Sequence, residues 1–187
     1  QLSRYQALGL EEVVIVANPE NRSDIEVLAR QVTTMRVQIA VQPEPKGMGD
    51  ALLKAEPLLA AYPNTPVYIN QVHDVVDDRL HLDMLSAHRN YPLATYLAGY
   101  EMEQYFPGGY LIVDNEGRIS GVVEKPGADK RPSNLVTFVA HIHSHAGALF
   151  EAIRAEYGRN IPSDDHYERA MDALMKQQVY QVVRYSG

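Results

Sequence analysis

The chain has 187 residues, 45% of them hydrophobic, a formal net charge of −7 and no cysteine. This length supports one well-buried domain. The acidic balance, with no stripe of Lys and Arg, argues against nucleic acid as a partner, and the lack of cysteine excludes a disulfide scaffold and thiolate chemistry.

Leu2, Tyr5, Leu8 and Leu10 recur near helical spacing, and Val13 to Val16 then form the continuous apolar run of a strand buried on both faces. A second helix is expected over Ile25, Val27, Leu28 and Val32, followed by a strand from Val37 to Val41. Residues 42 to 50 crowd Pro43, Pro45, Gly47 and Gly49 ahead of the apolar run Ala51, Leu52, Leu53 and Ala55, with Asp50 as the expected helix cap. The strand Val67 to Ile69 comes next, then the polar stretch NQVHD, then a helical pattern on Leu80, Leu82, Met84 and Leu85. Alternation at this spacing predicts a parallel sheet with helices on both faces, its ligands beyond the C-terminal strand ends. From Leu93 to His143 the pattern changes to three or four strands with turns and no helix between them, which predicts an antiparallel insertion over 92–145. Helical patterns around 148–155 and 167–175 and a strand from Val179 to Tyr185 close a single domain spanning 1–187. No apolar run reaches membrane-spanning length and no charged region leads into a hydrophobic signal, so a soluble, cytoplasmic protein with no membrane partner is expected.

Three loops after predicted strands carry the candidate chemistry. Around Gly47 the backbone N–H groups at a helix start are bare, which suits an anionic or heteroaromatic ligand. Asp74, at a strand end, is of the type that binds Mg²⁺, which prefers one or two carboxylates plus phosphate oxygens. Asp77 and Asp78 precede a helix and read as N-terminal caps. Glu124 and Lys125 stand immediately before Pro126, where Lys offers a point charge for phosphate and Glu accepts hydrogen bonds from hydroxyl groups. His141, His143 and His145 would share one strand face, and they read as ordinary strand-face histidines rather than a zinc site.

Taken together, these loops resemble the sugar-phosphate nucleotidyltransferases, which join an NTP to a sugar 1-phosphate and release pyrophosphate. VQPEPKGMGDAL is similar to that family's Q-P-x-P-x-G-x-x-x-A loop. The resemblance assigns base pairing to Gln42 and close approach of the base to Gly47. NQVHDVV stands where the family has G-D-D or G-D-N, which implies Mg²⁺ binding by Asp74. PGGYLIVDNEGRISGVVEKP resembles the stretch from the sugar-contacting Gly, here Gly109, to the E-K-P motif, here Glu124, Lys125 and Pro126. The resemblance implies that Glu124 contacts the sugar and Lys125 its phosphate, and Ser133 and Asn134 match the S-N pair that opens the following strand.

The implied fold is α/β, a Rossmann-like three-layer arrangement with a mixed, mainly parallel sheet flanked by helices and an antiparallel sugar-binding insertion. The implied reaction is nucleotidyl transfer assisted by Mg²⁺, with Lys125 and Asp74 as the catalytic residues and Gly109, Glu124, Lys125 and Asn134 around the sugar phosphate. The family's opening G-x-G-T-R loop and its later W-x-D-x-G segment have no counterpart between Gln1 and Gly187, so the sequence reads as a fragment. Val72 and His73 replace the small residue before the metal Asp, and His141 stands where many relatives have a Tyr near the sugar. A non-catalytic sensor or regulatory subunit that binds a nucleotide or sugar phosphate is one alternative, and an unrelated α/β ligand-binding module is another. The sugar, the base and assembly into a homo-oligomer stay open.

Overall fold

The computed structural model describes residues 1–60, 62 and 64–186. In chain order the elements are α1 (Leu2–Ala7), β1 (Glu12–Ala17), α2 (Arg22–Val32), β2 (Arg36–Val41), α3 (Gly47–Leu59), β3 (Val67–Asn70), α4 (Asp78–Asn90) and β4 (Thr95–Glu101). They continue as β5 (Gly109–Val113), β6 (Ile119–Glu124), a short 3₁₀ turn (Ala128–Lys130), β7 (Leu135–His143), α5 (Ala146–Gly158), α6 (His166–Met175) and β8 (Tyr180–Tyr185). The chain forms two compact units, one from residues 1–63 and 150–170 and the other from 64–149 and 171–187. Neither is a continuous stretch of sequence.

In the first unit β1 and β2 pair in parallel, from Glu12 opposite Arg36 to Ala17 opposite Val41. Parallel neighbours need a crossover, which α2 provides, and α2 and α3 both pack against this pair. The buried side of α2 is marked by Ala29, and that of α3 by Gly49 and Ala55.

The second unit is built around β7. Its nine residues pair antiparallel with β4 along one edge, while the other edge carries β3 at residues 140–143 and β5 at 136–137. β6 extends the sheet beyond β5, and β8 lies parallel to β4 on the far side. Leu80 and Met84 of α4 pack with Ala94, Tyr96, Ala98, Ala140 and Ile142 to form the core of this unit. Burial of each large apolar side chain here is worth roughly 1.5–3 kcal/mol. Asp77 starts α4 by accepting the Leu80 N–H at 3.2 Å, as a cap in that position should.

The architecture is the expected α/β one, with helices flanking a mixed sheet. Its internal balance differs from the mainly parallel expectation: among the described strands only β1–β2 and β4–β8 run parallel, and the four other pairings are antiparallel. The cause is β7, a long strand that accepts three antiparallel neighbours. The 92–145 segment therefore supplies the centre of a sheet.

β7 also decides the histidines. His141 and His143 are buried, with ring centroids 6.2 Å apart, but the strand ends at His143, so His145 leaves that face and is exposed. The expectation of three histidines on one face is corrected accordingly. The His141 Nε2 lies 3.1 Å from the Thr137 hydroxyl, and burial pushes its pKa down to about 3, so the imidazole is a neutral core group. No helix among the described residues is long and apolar enough to cross a membrane.

Candidate functional site

The 42–50 loop of the first unit is shaped by a glycine that no other residue replaces without strain. Gly47 has φ +86°, and a Cβ there would stand 3.4 Å from the Asp164 carbonyl oxygen. The left-handed turn sends the chain directly into α3, so the helix begins at Gly47. Asp50 is thus a first-turn residue and not the expected cap. Its Oδ2 accepts from Gln42 Nε2 at 2.9 Å, its Oδ1 pairs with Lys54 at 3.6 Å, and its charge complements the helix dipole. Lys46 occupies the cap position and makes no side-chain cap hydrogen bond. Gln42 Nε2 also donates to the Gly47 carbonyl at 3.1 Å, so the amide nitrogen is spent on the loop itself and Oε1 lies outside both bonds.

Behind the loop stands α5. A Cβ at Gly49 would lie 3.2 Å from a ring carbon of Tyr157 and 3.4 Å from its hydroxyl oxygen. The Tyr157 hydroxyl donates to the Lys46 carbonyl at 3.0 Å. The sequence holds no local signal for this contact, because its partners are 111 residues apart.

In the second unit the β5–β6 ladder sets Gly109 directly opposite Glu124. Lys125 follows, its N–H donating to the Gly108 carbonyl at 3.0 Å and its ammonium 3.4 Å from the Glu124 carboxylate. Lys125 has φ +45°, a conformation costing a non-glycine residue roughly 1–2 kcal/mol. Such strain persists only where surrounding structure enforces it, and it gathers at ligand sites. An exposed acceptor carboxylate and an ammonium therefore converge at one sheet corner, across the ladder from the buried Gly109. Asn134 is exposed one residue before β7, with its carbonyl accepting the Met102 N–H at 2.8 Å, and Ser133 Oγ donates to the Leu111 carbonyl at 2.6 Å. Gly109, Glu124 and Lys125 are thus brought together, while Asn134 is tied to the residue after β4.

Asp74 lies beyond β3. Its Oδ2 accepts the Val139 N–H at 2.9 Å, its Oδ1 is 3.8 Å from Nε2 of the exposed His73, and the Gln71 N–H donates to the Val139 carbonyl at 3.2 Å. These bonds fix the turn against β7. No group of three or more His, Cys, Asp or Glu side chains able to hold a metal occurs among the described residues. Asp74 therefore fits Mg²⁺ only in the mode in which phosphate oxygens and water complete the shell around a single carboxylate.

A parallel strand pair with a glycine loop feeding a helix, joined in one chain to a mixed sheet with a Glu-Lys corner, defines an α/β protein of the nucleotidyltransferase class. The chain belongs to the nucleotidyl transferase family, whose model matches residues 1–179. Among solved structures, an apo UDP-glucose pyrophosphorylase superposes with a TM-score of 0.78 at 20% identity, over 100% of this chain and 77% of its own. A UDP-glucose pyrophosphorylase complexed with UDP-glucose gives 0.74 at 20% identity over the same shares. A UTP-bound enzyme of this kind from Acinetobacter baumannii gives 0.71 at 19% identity, over 98% of this chain and 73% of its own. These likenesses show the fold. None of the curated proteins compared with the chain matches it.

Proposed function

We propose that the whole chain acts as one nucleotidyltransferase-like domain that transfers a nucleotidyl group from an NTP to a sugar 1-phosphate, giving an NDP-sugar and pyrophosphate. The observation that carries this reading is the strained Lys125 beside the exposed Glu124, at the corner where β6 ends across the ladder from Gly109. An ammonium and a hydroxyl-accepting carboxylate side by side match the two ends of a sugar phosphate.

In this reading a sugar-phosphate oxygen attacks the α-phosphorus of the NTP in line. A new P–O bond forms as the bond to the β-phosphate breaks, and pyrophosphate leaves with its electron pair. No covalent enzyme intermediate is required, so the protein contributes positioning and charge neutralisation. Lys125 balances the sugar phosphate and Glu124 orients the sugar hydroxyls. Gly47 lets the nucleotide approach the backbone, with Gln42 at the base edge through Oε1 or, after its loop bonds open, through Nε2. When bound, Mg²⁺ neutralises phosphate charge, and Asp74 is the residue that would hold it. UDP-glucose and UTP, named for the similar structures, make a uridine nucleotide and a hexose 1-phosphate the first ligands to try.

One observation favours the sensor alternative. Both Asp74 oxygens already face protein groups, the Val139 N–H and the His73 imidazole. Calorimetric titration with UTP, dTTP, ATP and GTP, followed by sugar 1-phosphates, tests both readings. Micromolar nucleotide binding that weakens in Gln42→Ala, together with pyrophosphate release, supports the enzyme. Binding without release on any common sugar 1-phosphate supports the sensor. Binding no tighter than millimolar for every nucleotide, unchanged by Gln42→Ala, ends the base-site reading.

A further inference from the structure

The start of α3 has no side-chain cap of its own, and Gly47 and Gly49 leave its backbone pliable. A loop of that composition needs an external brace if it is to present one shape to a ligand. Residues of α5 and α6 within the first unit supply it. The Tyr157 hydroxyl donates to the Lys46 carbonyl, the residue immediately before the left-handed Gly47. The ring edge lies against Gly49, where a Cβ would stand a tight 3.2 Å from a ring carbon. The ring also meets His166, with centroids 4.1 Å apart and the planes tilted by 38°.

His166 is itself an unusual choice. It is 6% exposed, and its Nδ1 is buried with no hydrogen-bond partner among the described residues. Burying a polar nitrogen this way is costly, and an apolar residue would fill the space more cheaply. What the imidazole does provide is an aromatic ring in close, tilted contact with the Tyr157 ring. The neighbouring buried Glu156 pairs with Arg169 at 3.3 Å and Arg159 at 3.2 Å, which ties the start of α6 to the end of α5 and keeps the two rings in contact.

We propose that Tyr157, backed by His166, is a positioning residue that holds the 42–50 loop and the N-terminus of α3 in the shape that receives a nucleotide. This rests on the nucleotide reading of that loop, and it adds a residue that controls how well the loop binds. The hydroxyl, not the bulk of the ring, sets the Lys46 carbonyl and so the direction of the amides that follow.

The test compares the full wild-type chain with Tyr157→Phe, which keeps the ring packing on Gly49 and His166 and removes only the donor. Trypsin cleavage after exposed Lys46, followed by mass spectrometry, reads loop closure with no ligand present. Calorimetry with UTP reads nucleotide affinity, and glucose 1-phosphate binding serves as the control. Loss of one neutral hydrogen bond should make cleavage about three- to tenfold faster and UTP binding weaker by a similar factor, while glucose 1-phosphate binding is unchanged. His166→Ala should shift cleavage and UTP binding in the same directions. Unchanged cleavage and unchanged UTP affinity in Tyr157→Phe overturn the proposal, as does equal weakening of both ligands, which would mean a global effect. Failure of the underlying reading shows separately, as a wild type that binds none of the nucleotides while Lys46 cleavage still responds to Tyr157→Phe. That result overturns the nucleotide role and leaves a purely structural brace.

Discussion

Glu124 faces Gly109 across the β5–β6 ladder, so closely that a Cβ on Gly109 would lie 3.2 Å from the carboxylate Oε2 and 3.1 Å from Val122 Cγ1. The glycine thus makes room for the carboxylate. Gly109→Ala must push Glu124 away from its present position. It is expected to weaken glucose 1-phosphate binding about tenfold, the loss of one charged hydrogen bond, at a stability cost of about 1 kcal/mol. Calorimetry and a melting curve on the same sample check both halves. A variant that melts lower yet binds normally would place Glu124 outside the ligand's reach.

Lys125 combines a useful charge with an unfavourable backbone, and the two can be separated. Lys125→Met keeps the strain and removes the charge, whereas Lys125→Gly removes both. Sugar-phosphate affinity should fall about ten- to a hundredfold in each. Melting should be almost unaffected in the Met variant, since an exposed pair with Glu124 contributes little. In the Gly variant it should hold or rise by up to about 4 °C, because φ +45° is then relaxed. A Met variant that loses stability and keeps its affinity would make Lys125 a structural residue.

Asp74→Asn preserves an oxygen that can accept from the Val139 N–H and deletes the negative charge. Stability should therefore drop by no more than about 1 kcal/mol. Mn²⁺ binding in the presence of UTP, read by paramagnetic broadening, should be lost. In Asp77→Asn it should survive, since Asn caps α4 nearly as well as Asp. The reverse pattern would move the metal ligand three residues along the chain.

Elements whose signal is local were readable from sequence. The apolar run Val13–Val16 and the helical spacing around Leu80 and Met84 each matched an element of the fold, and the three or four strands expected over 93–143 matched β4 to β7. So did the sheet corner, because the E-K-P motif and the PGG turn lie on adjacent strands of one hairpin. What failed depended on distant partners. Asp50 looked like a cap because Ser, Asp and Asn usually are, but Gly47 started the helix early and Gln42 claimed the carboxylate. The antiparallel setting of β3 on β7 brings together residues seventy or more positions apart, and no periodicity reports it. Asp74 was visible as a carboxylate at a strand end, yet its bond to Val139 was not. Tyr157 gave no sign at all.

The buried histidines make a prediction about acid. Burial holds the His141 pKa at about 3, and burial together with neighbouring His141 holds His143 well below the ordinary value of 6.5. Well above pH 6.5 both groups are neutral whether the chain is folded or not, so they add no pH dependence there. Between pH 6.5 and about 3 the unfolded chain takes up protons that the folded chain refuses, and stability must fall with pH across that window. Each histidine contributes a slope of up to about 1.4 kcal/mol per pH unit. The melting temperature of the wild type should accordingly drop steeply from pH 7 to pH 5. A His141→Gln, His143→Gln double variant starts less stable at pH 7, because Gln fits neither ring's place against Thr137 and Tyr180, but it should lose fewer degrees over the same interval. Equal losses in the two proteins would assign the acid sensitivity to the carboxylates and show that these imidazoles are protonated as easily in the folded chain as in the unfolded one.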